Sequence, residues 1–277
     1  MRYKFGLIAK DIKHSISPLV YQTLGEKMGI SVSYDIFNVP EDALAHTVAH
    51  CRETLDGFNV TMPYKQAILP FMDELDESAQ ACGSTNTVLV KGGRLTAFNT
   101  DGWGTMRALA MEGFHPRDTR VVMLGAGGVA FSIAYNLKLH KAGRVDVVNI
   151  IPEQTKALCD KFGPGFHPHE FGYATLAGCC KGADLFINAS VMGQIGYDEF
   201  MDFGFLSGLA ENAIVYDVNY SNPDARLVPT ARAAGYRAYT GKSMTACQGV
   251  RVMEIWTGIA AGEDDIRDLV DRICETR

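Results

Sequence analysis

The chain has 277 residues, 47% hydrophobic and 21% charged, a composition typical of soluble globular proteins with a sizeable apolar core. Its formal net charge of −6 argues against nucleic acid or an anionic membrane as the main partner. The sequence has no run of about 18 apolar residues, so no transmembrane helix is predicted. Seven scattered cysteines without a Cys-x-x-Cys pair favour a reduced, cytoplasmic setting.

In the first hundred residues, short β-rich runs alternate with longer helical patterns, which predicts βα units and a largely parallel sheet. We predict strands over 4–9, 33–39 and 56–61 and helices over 18–28 and 41–52. Gly92-Gly93 separates two further strand patterns, 87–91 and 94–99, and indicates a two-residue hairpin turn. A helix over 102–112 ends before His115-Pro116.

A second α/β region begins at residue 120. Its strand patterns cover 120–124, 144–151, 183–189 and 213–218, and helical patterns follow the first two. The tail after Gly241 is predicted to be helical, with a break at Gly258.

A glycine-rich motif, Gly125-x-Gly127-x-x-Ala130, lies between a predicted strand and a predicted helix, the context that a dinucleotide-binding fingerprint requires. Gly125 permits a tight turn, Gly127 lets the backbone approach a pyrophosphate, and Ala130 allows close helix–strand packing. The N–H groups at the start of the helix then face the phosphates. Without that context the motif would indicate only an ordinary glycine-rich turn.

These patterns predict an α/β protein with two domains. The first is an N-terminal α/β substrate domain, 1–101, completed by the C-terminal helix, 245–277. The second, 102–244, is a Rossmann-like, doubly wound dinucleotide-binding domain.

The residues after the second strand of this domain bear on the choice between NAD and NADP. An acid there would bind the ribose 2′-OH, whereas an arginine would bind a 2′-phosphate. Counting about twenty residues on from the glycines reaches Asp146, but that residue lies inside the strand pattern. The strand end, 149–154, has no arginine, and Glu153 would repel a phosphate. The sequence therefore favours NAD.

Four further segments, taken with the glycine motif, resemble one family. The first is His14-Ser15-Ile16-Ser17-Pro18, and the second is Gly57-Phe58-Asn59-Val60-Thr61-Met62-Pro63-Tyr64-Lys65. The third consists of Asn86-Thr87 and Asn99-Thr100-Asp101-Gly102, which lie on either side of the predicted hairpin. The fourth is Gln248, ahead of Trp256. In this order, from about Phe5 to Trp256, the set resembles the shikimate dehydrogenases, including the related quinate/shikimate enzymes.

The resemblance implies that Lys65 is a catalytic lysine and Asp101 its partner. Oxidation of a secondary alcohol needs a group that takes the hydroxyl proton as hydride leaves carbon, and a lysine beside a carboxylate can exchange that proton. Taken alone, Lys65 would be interpreted as a solvated surface lysine and Asp101 as a helix N-cap.

The resemblance also implies a substrate site for a small cyclic polyhydroxy carboxylate. Ser15 and Ser17 would bind the carboxylate, Thr61, Asn86 and Gln248 the ring hydroxyls, and Tyr220 would face the substrate. Taken alone, Ser17-Pro18 could simply cap a helix and Asn86 could be a turn residue. Gly83-Ser84-Thr85 replaces the more usual small apolar residues before the asparagine, which would alter the pocket wall.

For the dinucleotide, the resemblance implies a set of residues at strand ends and in the glycine motif. They are Gly125, Ala126, Gly127, Gly128, Ala130, Asn149, Asn188, Ala189, Ser190, Val218, Gly241 and Met244. Ile150 and Gln154 stand where many members have arginines for the adenosine phosphate, which again favours NAD over NADP. Lys156 is the basic group that could replace them.

We therefore expect an NAD(P)-dependent shikimate dehydrogenase with its active site in a cleft between the domains. A quinate or dual quinate/shikimate dehydrogenase is the alternative within this class. A non-catalytic ligand-binding paralogue is the alternative of another class, although it would have no need of both Lys65 and Asp101. The oligomeric state stays open.

No metal site is predicted. His46 and His50, four apart on a predicted helix, lack a third ligand. His167-Pro168-His169 is interpreted as a surface loop.

Overall fold

The computed structural model describes residues 1–12 and 15–275, which form two compact units. Unit 1 consists of Met1–Gly104 and Thr245–Arg277, and unit 2 of Thr105–Met244. His14, from the first of the resembling segments, lies outside the described residues. In the described part of the chain, no helix is both long and apolar enough to cross a membrane.

The described residues of unit 1 form six strands, with helices between and after them. The strands are β1 (Arg2–Ala9), β2 (Ser31–Asn38), β3 (Gly57–Val60), β4 (Glu74–Leu75), β5 (Thr87–Lys91) and β6 (Arg94–Phe98). The helices are α1 (Ser17–Lys27), α2 (Leu44–Thr54), α3 (Tyr64–Ala67), α4 (Glu77–Cys82), the start of α5 (Asp101–Met111), most of α10 (Lys242–Thr257), and α11 (Glu263–Glu275).

The sheet of unit 1 has the order β2-β1-β3-β5-β6-β4. β1 pairs in parallel with β2 and β3, whereas β5 is antiparallel to β3 and β6. The antiparallel part comes from the predicted hairpin, whose turn residues Gly92 and Gly93 both have positive φ. The sheet is therefore mixed rather than largely parallel.

Trp256 on α10 packs into the core of unit 1. Its ring stacks on Phe5 at a centroid distance of 4.2 Å, and its Nε1–H donates to Val88 O at 2.9 Å. Gly57 on β3 leaves room for the indole, since a Cβ at this position would overlap the ring. Helix α10 is therefore part of the first unit's core.

Unit 2 alternates strands and helices. Its strands are β7 (Arg120–Leu124), β8 (Arg144–Asn149), β9 (Phe166–Glu170), β10 (Leu185–Asn188), β11 (Ile214–Asp217) and β12 (Arg237–Thr240). Its own helices are α6 (Gly128–Leu139), α7 (Pro152–Phe162), α8 (Tyr173–Cys180) and α9 (Leu227–Ala233).

All neighbouring strands of unit 2 are parallel, in the order β12-β11-β10-β7-β8-β9. β10 and β11 are buried along their whole length, as expected for strands covered on both faces. The order reverses direction between β7 and β10, the position at which such sheets bind ligands beyond their carboxyl ends. The predicted α/β fold with a Rossmann-like, doubly wound part is confirmed.

The interpretation of His167-Pro168-His169 as a surface loop is wrong. These residues form the middle of β9, which pairs with β8 and ends the sheet. Proline is compatible with this position because an edge strand has one side without a partner strand. The polar composition of the segment concealed a strand that is only half covered.

Candidate functional site

The topology of unit 1 brings three chain segments to one edge of its sheet. β3 and β6 are both antiparallel to β5, so their carboxyl ends lie where β5 begins. After β3 the chain turns into α3, which carries Lys65, and after β6 it enters α5, whose first residue is Asp101. Asn86 directly precedes β5. Residues far apart in sequence therefore become neighbours.

Lys65 and Asp101 form an ion pair at this edge. The Lys65 Nζ–Asp101 Oδ2 distance is 2.7 Å, and the two side chains are 19% and 5% exposed. An ammonium has three N–H donors, so Lys65 can bind Asp101 and an alcohol oxygen at the same time. The pair predicted from the resemblance is thus present, with its lysine end partly open to solvent.

Asn86 holds the second oxygen of the carboxylate. Its Nδ2 donates to Asp101 Oδ1 at 2.8 Å and to Thr100 Oγ1 at 3.0 Å. Its Oδ1 accepts from the backbone N–H of Thr100 at 3.0 Å. Asn86 is therefore buried, and its side chain fixes the orientation of Asp101. Its role is not limited to forming a turn.

The two predicted carboxylate-binding serines lie together at the start of α1. Ser15 Oγ donates to Ser17 Oγ at 3.0 Å and accepts from the backbone N–H of Ser17 at 3.1 Å. Ser17 is not the helix cap, since the N-cap residue is Ile16. Hydroxyls at the N-terminus of an 11-residue helix suit an anionic group.

Gln248 on α10 belongs to the same unit. Among the described residues, its buried Oε1 has no hydrogen-bond partner. A buried acceptor in this state costs about 1–3 kcal/mol, which a ligand hydroxyl could recover. Thr61 follows β3 and is half-buried, with its backbone N–H donating to Ile8 O at 3.1 Å. Tyr220 is part of unit 2, where its side chain is 38% exposed.

The glycine motif of unit 2 forms the turn between β7 and α6, as predicted. Gly125 has φ +110°, and a Cβ there would lie 2.6 Å from Ala189 O. Its N–H donates to Val148 O at 2.8 Å, which joins the turn to β8. A Cβ on Gly127 or Gly128 would meet no described atom within 4 Å. The backbone at the helix start is thus open to a ligand, while Ala130 is fully buried.

Asn188, at the carboxyl end of β10, forms side-chain hydrogen bonds with Asp217 and Ser190. Its Nδ2 donates to Asp217 Oδ1 at 2.9 Å, and its Oδ1 accepts from Ser190 Oγ at 2.6 Å. Asp217 also accepts from the backbone N–H of Asn219 at 3.1 Å. Burial raises the pKa of Asp217 to about 7 against these hydrogen bonds. Sequence reasoning missed Asp217, although an acid that ends a buried strand was a usable signal.

Three of the residues predicted for the dinucleotide follow β11 and β12, namely Val218, Gly241 and Met244. A Cβ on Gly241 would overlap Val218 O, so only glycine fits there. The backbone N–H of Met244 donates to Tyr216 Oη at 3.1 Å. These contacts bring Val218 and Gly241 together at the carboxyl edge of the sheet and tie Met244 to β11.

The end of β8 carries little positive charge. Asn149 Nδ2 donates to Ile151 O and Gln154 Oε1, both at 3.2 Å. Ile150 is 69% exposed, and Lys156 is paired with Asp160 on its own helix. Asp146 lies within β8, as predicted, and not at its end.

The doubly wound unit with its glycine turn, and the unit with its lysine–aspartate pair, are typical of dinucleotide-dependent oxidoreductases. A family model described as the shikimate dehydrogenase substrate binding domain matches residues 7–88. The shikimate dehydrogenase (NADP(+)) of Alkaliphilus metalliredigens is 36% identical over 260 residues, which cover 91% of each chain. The chain belongs to the shikimate dehydrogenase family, which confirms the resemblance.

Solved structures agree with this family. Shikimate 5-dehydrogenase from Listeria monocytogenes, in complex with shikimate and NAD, matches with a TM-score of 0.87 and 28% identity, over 97% of this chain and 96% of that one. Quinate dehydrogenase from Corynebacterium glutamicum, in complex with NAD, matches with a TM-score of 0.84 and 26% identity, over 98% and 99%.

Proposed function

We propose that this protein transfers hydride reversibly between shikimate and 3-dehydroshikimate, with a nicotinamide dinucleotide as the second substrate. The observation that carries the proposal is the Lys65–Asp101 ion pair, held by Asn86 at one edge of the unit 1 sheet. The Alkaliphilus relative, named as a shikimate dehydrogenase and matching over nearly the whole chain, supports the same activity.

In this proposal Lys65 and Asp101 are catalytic residues that handle one proton. A nicotinamide dinucleotide, when bound, would supply the hydride acceptor for alcohol oxidation and the hydride donor for the reverse reaction. As the alcohol is oxidised, its hydroxyl proton passes to the pair, and in the reverse direction the pair gives it back. Asn86 keeps Asp101 oriented, so that the ammonium stays aimed at the alcohol oxygen.

The substrate groups are assigned to the polar residues around the pair. Ser15 and Ser17 bind the carboxylate, and Thr61, Asn86 and Gln248 bind ring hydroxyls. Tyr220 is proposed as a further substrate contact. The unpartnered Oε1 of Gln248 supports this assignment, because an analogue without the matching hydroxyl would leave it unsatisfied.

For the cofactor, we propose NAD, bound by the residues predicted from the resemblance. The end of β8 supports this choice. Ile150 offers an exposed apolar side chain, Glu153 is acidic, and the ion pair with Asp160 engages the ammonium of Lys156. A 2′-phosphate would find no arginine at this strand end, whereas a 2′-OH needs none.

Quinate is the second candidate substrate, supported by the match to the Corynebacterium quinate dehydrogenase. Initial rates with shikimate and quinate, each with NAD and NADP, separate the possibilities. We expect the highest kcat/KM for shikimate with NAD. A higher value for quinate would change the substrate, and a higher value with NADP would change the cofactor. Ligand binding without turnover in all four assays would refute the proposal and indicate a binding paralogue.

A further inference from the structure

Three side chains of different chemistry meet within the sheet of unit 2. Asp146 on β8, His169 on β9 and Cys179 on α8 each offer one potential metal-ligand atom, and these atoms lie within 4.8 Å of one another. None of the three belongs to the proposed substrate or dinucleotide residues. The group therefore needs an explanation of its own.

The fold brings these residues together. β8 and β9 are parallel with Val148 opposite His169, and side chains two residues apart on a strand point to the same face. Asp146 and His169 therefore share a face of the sheet. α8 follows β9 and places Cys179 in the core that includes Val148. Strand pairing and helix packing fix the positions of all three groups.

A network of hydrogen bonds already surrounds the carboxylate. Arg144 donates to both oxygens of Asp146, from Nε at 2.8 Å and from Nη2 at 2.7 Å, and His169 Nε2 lies 2.7 Å from Oδ1. The buried carboxylate therefore already has a cationic partner, and a metal ion bound there would have to take the place of Arg144.

We propose that Asp146, His169 and Cys179 bind one zinc-type divalent cation. Carboxylate oxygen, imidazole nitrogen and thiolate sulfur are the three ligand types that zinc prefers, and water can fill the fourth position. With bonds of about 2.0–2.3 Å, tetrahedral ligands are separated by roughly 3.3–3.8 Å. Atoms up to 4.8 Å apart must therefore approach by at most about 1.5 Å, whereas His169 Nε2 and Asp146 Oδ1, now 2.7 Å apart, must separate by about 0.6 Å or more. Buried strands and a packed helix preorganise such a site.

Arg144 is the residue that the metal displaces. Its side chain is 42% exposed, against 3% for Asp146, so the guanidinium can turn into solvent while the carboxylate stays. The metal ion then replaces the guanidinium of Arg144 as the cation bound to Asp146. On binding, Cys179 loses its thiol proton to solvent, and the resulting thiolate coordinates the metal.

A Cys-His-Asp group could instead suggest a nucleophile. Cys179 is buried among the core side chains of unit 2, so its thiol is poorly accessible to a substrate. A metal ion that binds there removes the thiol proton outright. A metal site therefore fits this cysteine better than a catalytic thiol does.

The test uses the full chain, with any affinity tag removed, stripped with chelator and titrated with Co²⁺ and Zn²⁺. We expect one metal per chain by elemental analysis and, with Co²⁺, a thiolate-to-metal absorption band in the near ultraviolet. Cys179→Ser and His169→Gln should abolish the band and weaken Zn²⁺ binding by at least about tenfold. Arg144→Gln, which removes the competing cation, should tighten binding.

Two matched controls lie beside the ligands. Cys180 is the next residue on α8, and His167 lies on the same strand as His169. Cys180→Ser and His167→Gln should retain both the band and the stoichiometry. Failure of the wild-type chain to bind metal would overturn the proposal, as would equal binding by Cys179→Ser and Cys180→Ser. Circular dichroism of each variant distinguishes lost binding from lost folding.

Discussion

Each unit has a buried aspartate at one edge of its sheet, but the two aspartates have different partners. Asp101 accepts hydrogen bonds from the ammonium of Lys65 and the amide of Asn86. Asp217 accepts from the amides of Asn188 and Asn219, and no cation pairs with it among the described residues. The two aspartates are therefore similarly buried, but Asp101 is hydrogen-bonded to a cation and Asp217 to amide groups.

The difference separates two kinds of site. In unit 1, function is assigned to side chains that touch each other, so one substitution removes a reacting group. In unit 2, the glycine turn offers backbone N–H groups, and the side chains behind it mainly hold its shape. Substitutions that change charge should therefore have the largest functional effects in unit 1. Substitutions that change the backbone conformation should have the largest functional effects in unit 2.

The largest expected effect comes from removing the cation of unit 1, which leaves Asp101 with amide partners as Asp217 has. Lys65→Met should lower kcat by about 10²–10⁴-fold, because proton exchange with the alcohol is lost. The affinity for the dinucleotide, measured by fluorescence titration, should change little. Lys91→Met, at the exposed end of β5, is the matched control with wild-type kcat. An unchanged kcat in Lys65→Met would contradict the proposed role.

A backbone change in unit 2 should have the next largest effect. Gly125→Ala places a Cβ 2.6 Å from Ala189 O in a residue with φ +110°, so the turn must deform. We expect the Kd of the dinucleotide to rise about tenfold or more, equivalent to at least about 1.4 kcal/mol.

The control for this change is another glycine of unit 2. A Cβ on Gly178, in α8, would meet no described atom within 4 Å. Gly178→Ala should therefore keep the Kd and stabilise the helix by up to about 1 kcal/mol. Equal Kd values for the two variants would show that the turn conformation is unimportant.

The third prediction concerns the pH dependence of Asp217. Its pKa rises from 3.8 to about 7 on folding, because burial disfavours the charge. The wild type therefore loses stability as the pH rises from about 4 through 7, since the folded state holds the proton that the unfolded state releases. Asp217→Asn lacks this loss. Its unfolding free energy relative to the wild type should increase by about 4 kcal/mol between pH 4 and pH 8, as measured by urea denaturation. A pH-independent difference would refute the explanation.

The smallest expected effect comes from adding the cation that the end of β8 lacks. Ile150→Arg should shift the ratio of kcat/KM values toward NADP by about tenfold, through a charge-assisted bond to the 2′-phosphate. Ile150→Gln, which adds polarity without charge, should leave the ratio near its wild-type value. If the wild type already prefers NADP, another cation recognises the phosphate and the proposed NAD preference is wrong.

The sequence could predict much of the fold because many elements have local signals. β7 is a continuous apolar run that stops at Gly125, and the hairpin turn is marked by Gly92-Gly93. β9 was missed because His-Pro-His lacks both an apolar run and alternation. Its position depends on pairing with β8, which no local pattern encodes.

The site was predictable only in part, for a similar reason. Lys65 and Asp101 are 36 positions apart, and their contact depends on how β3, β5 and β6 pair. The resemblance supplied these two residues, whereas spacing alone would not have. The group of Asp146, His169 and Cys179 had no motif to mark it, since its members come from three separate elements.

The contact of Trp256 with Gly57 has a consequence for biosynthesis of the chain. Residues 105–244 are continuous, so unit 2 can fold as soon as it leaves the ribosome. The first hundred residues emerge earlier, yet their core lacks its indole until about 150 more have been translated. During that interval their apolar surface is exposed to chaperones. Nascent chains truncated before residue 256 should therefore remain protease-sensitive in this region, whereas longer ones become resistant.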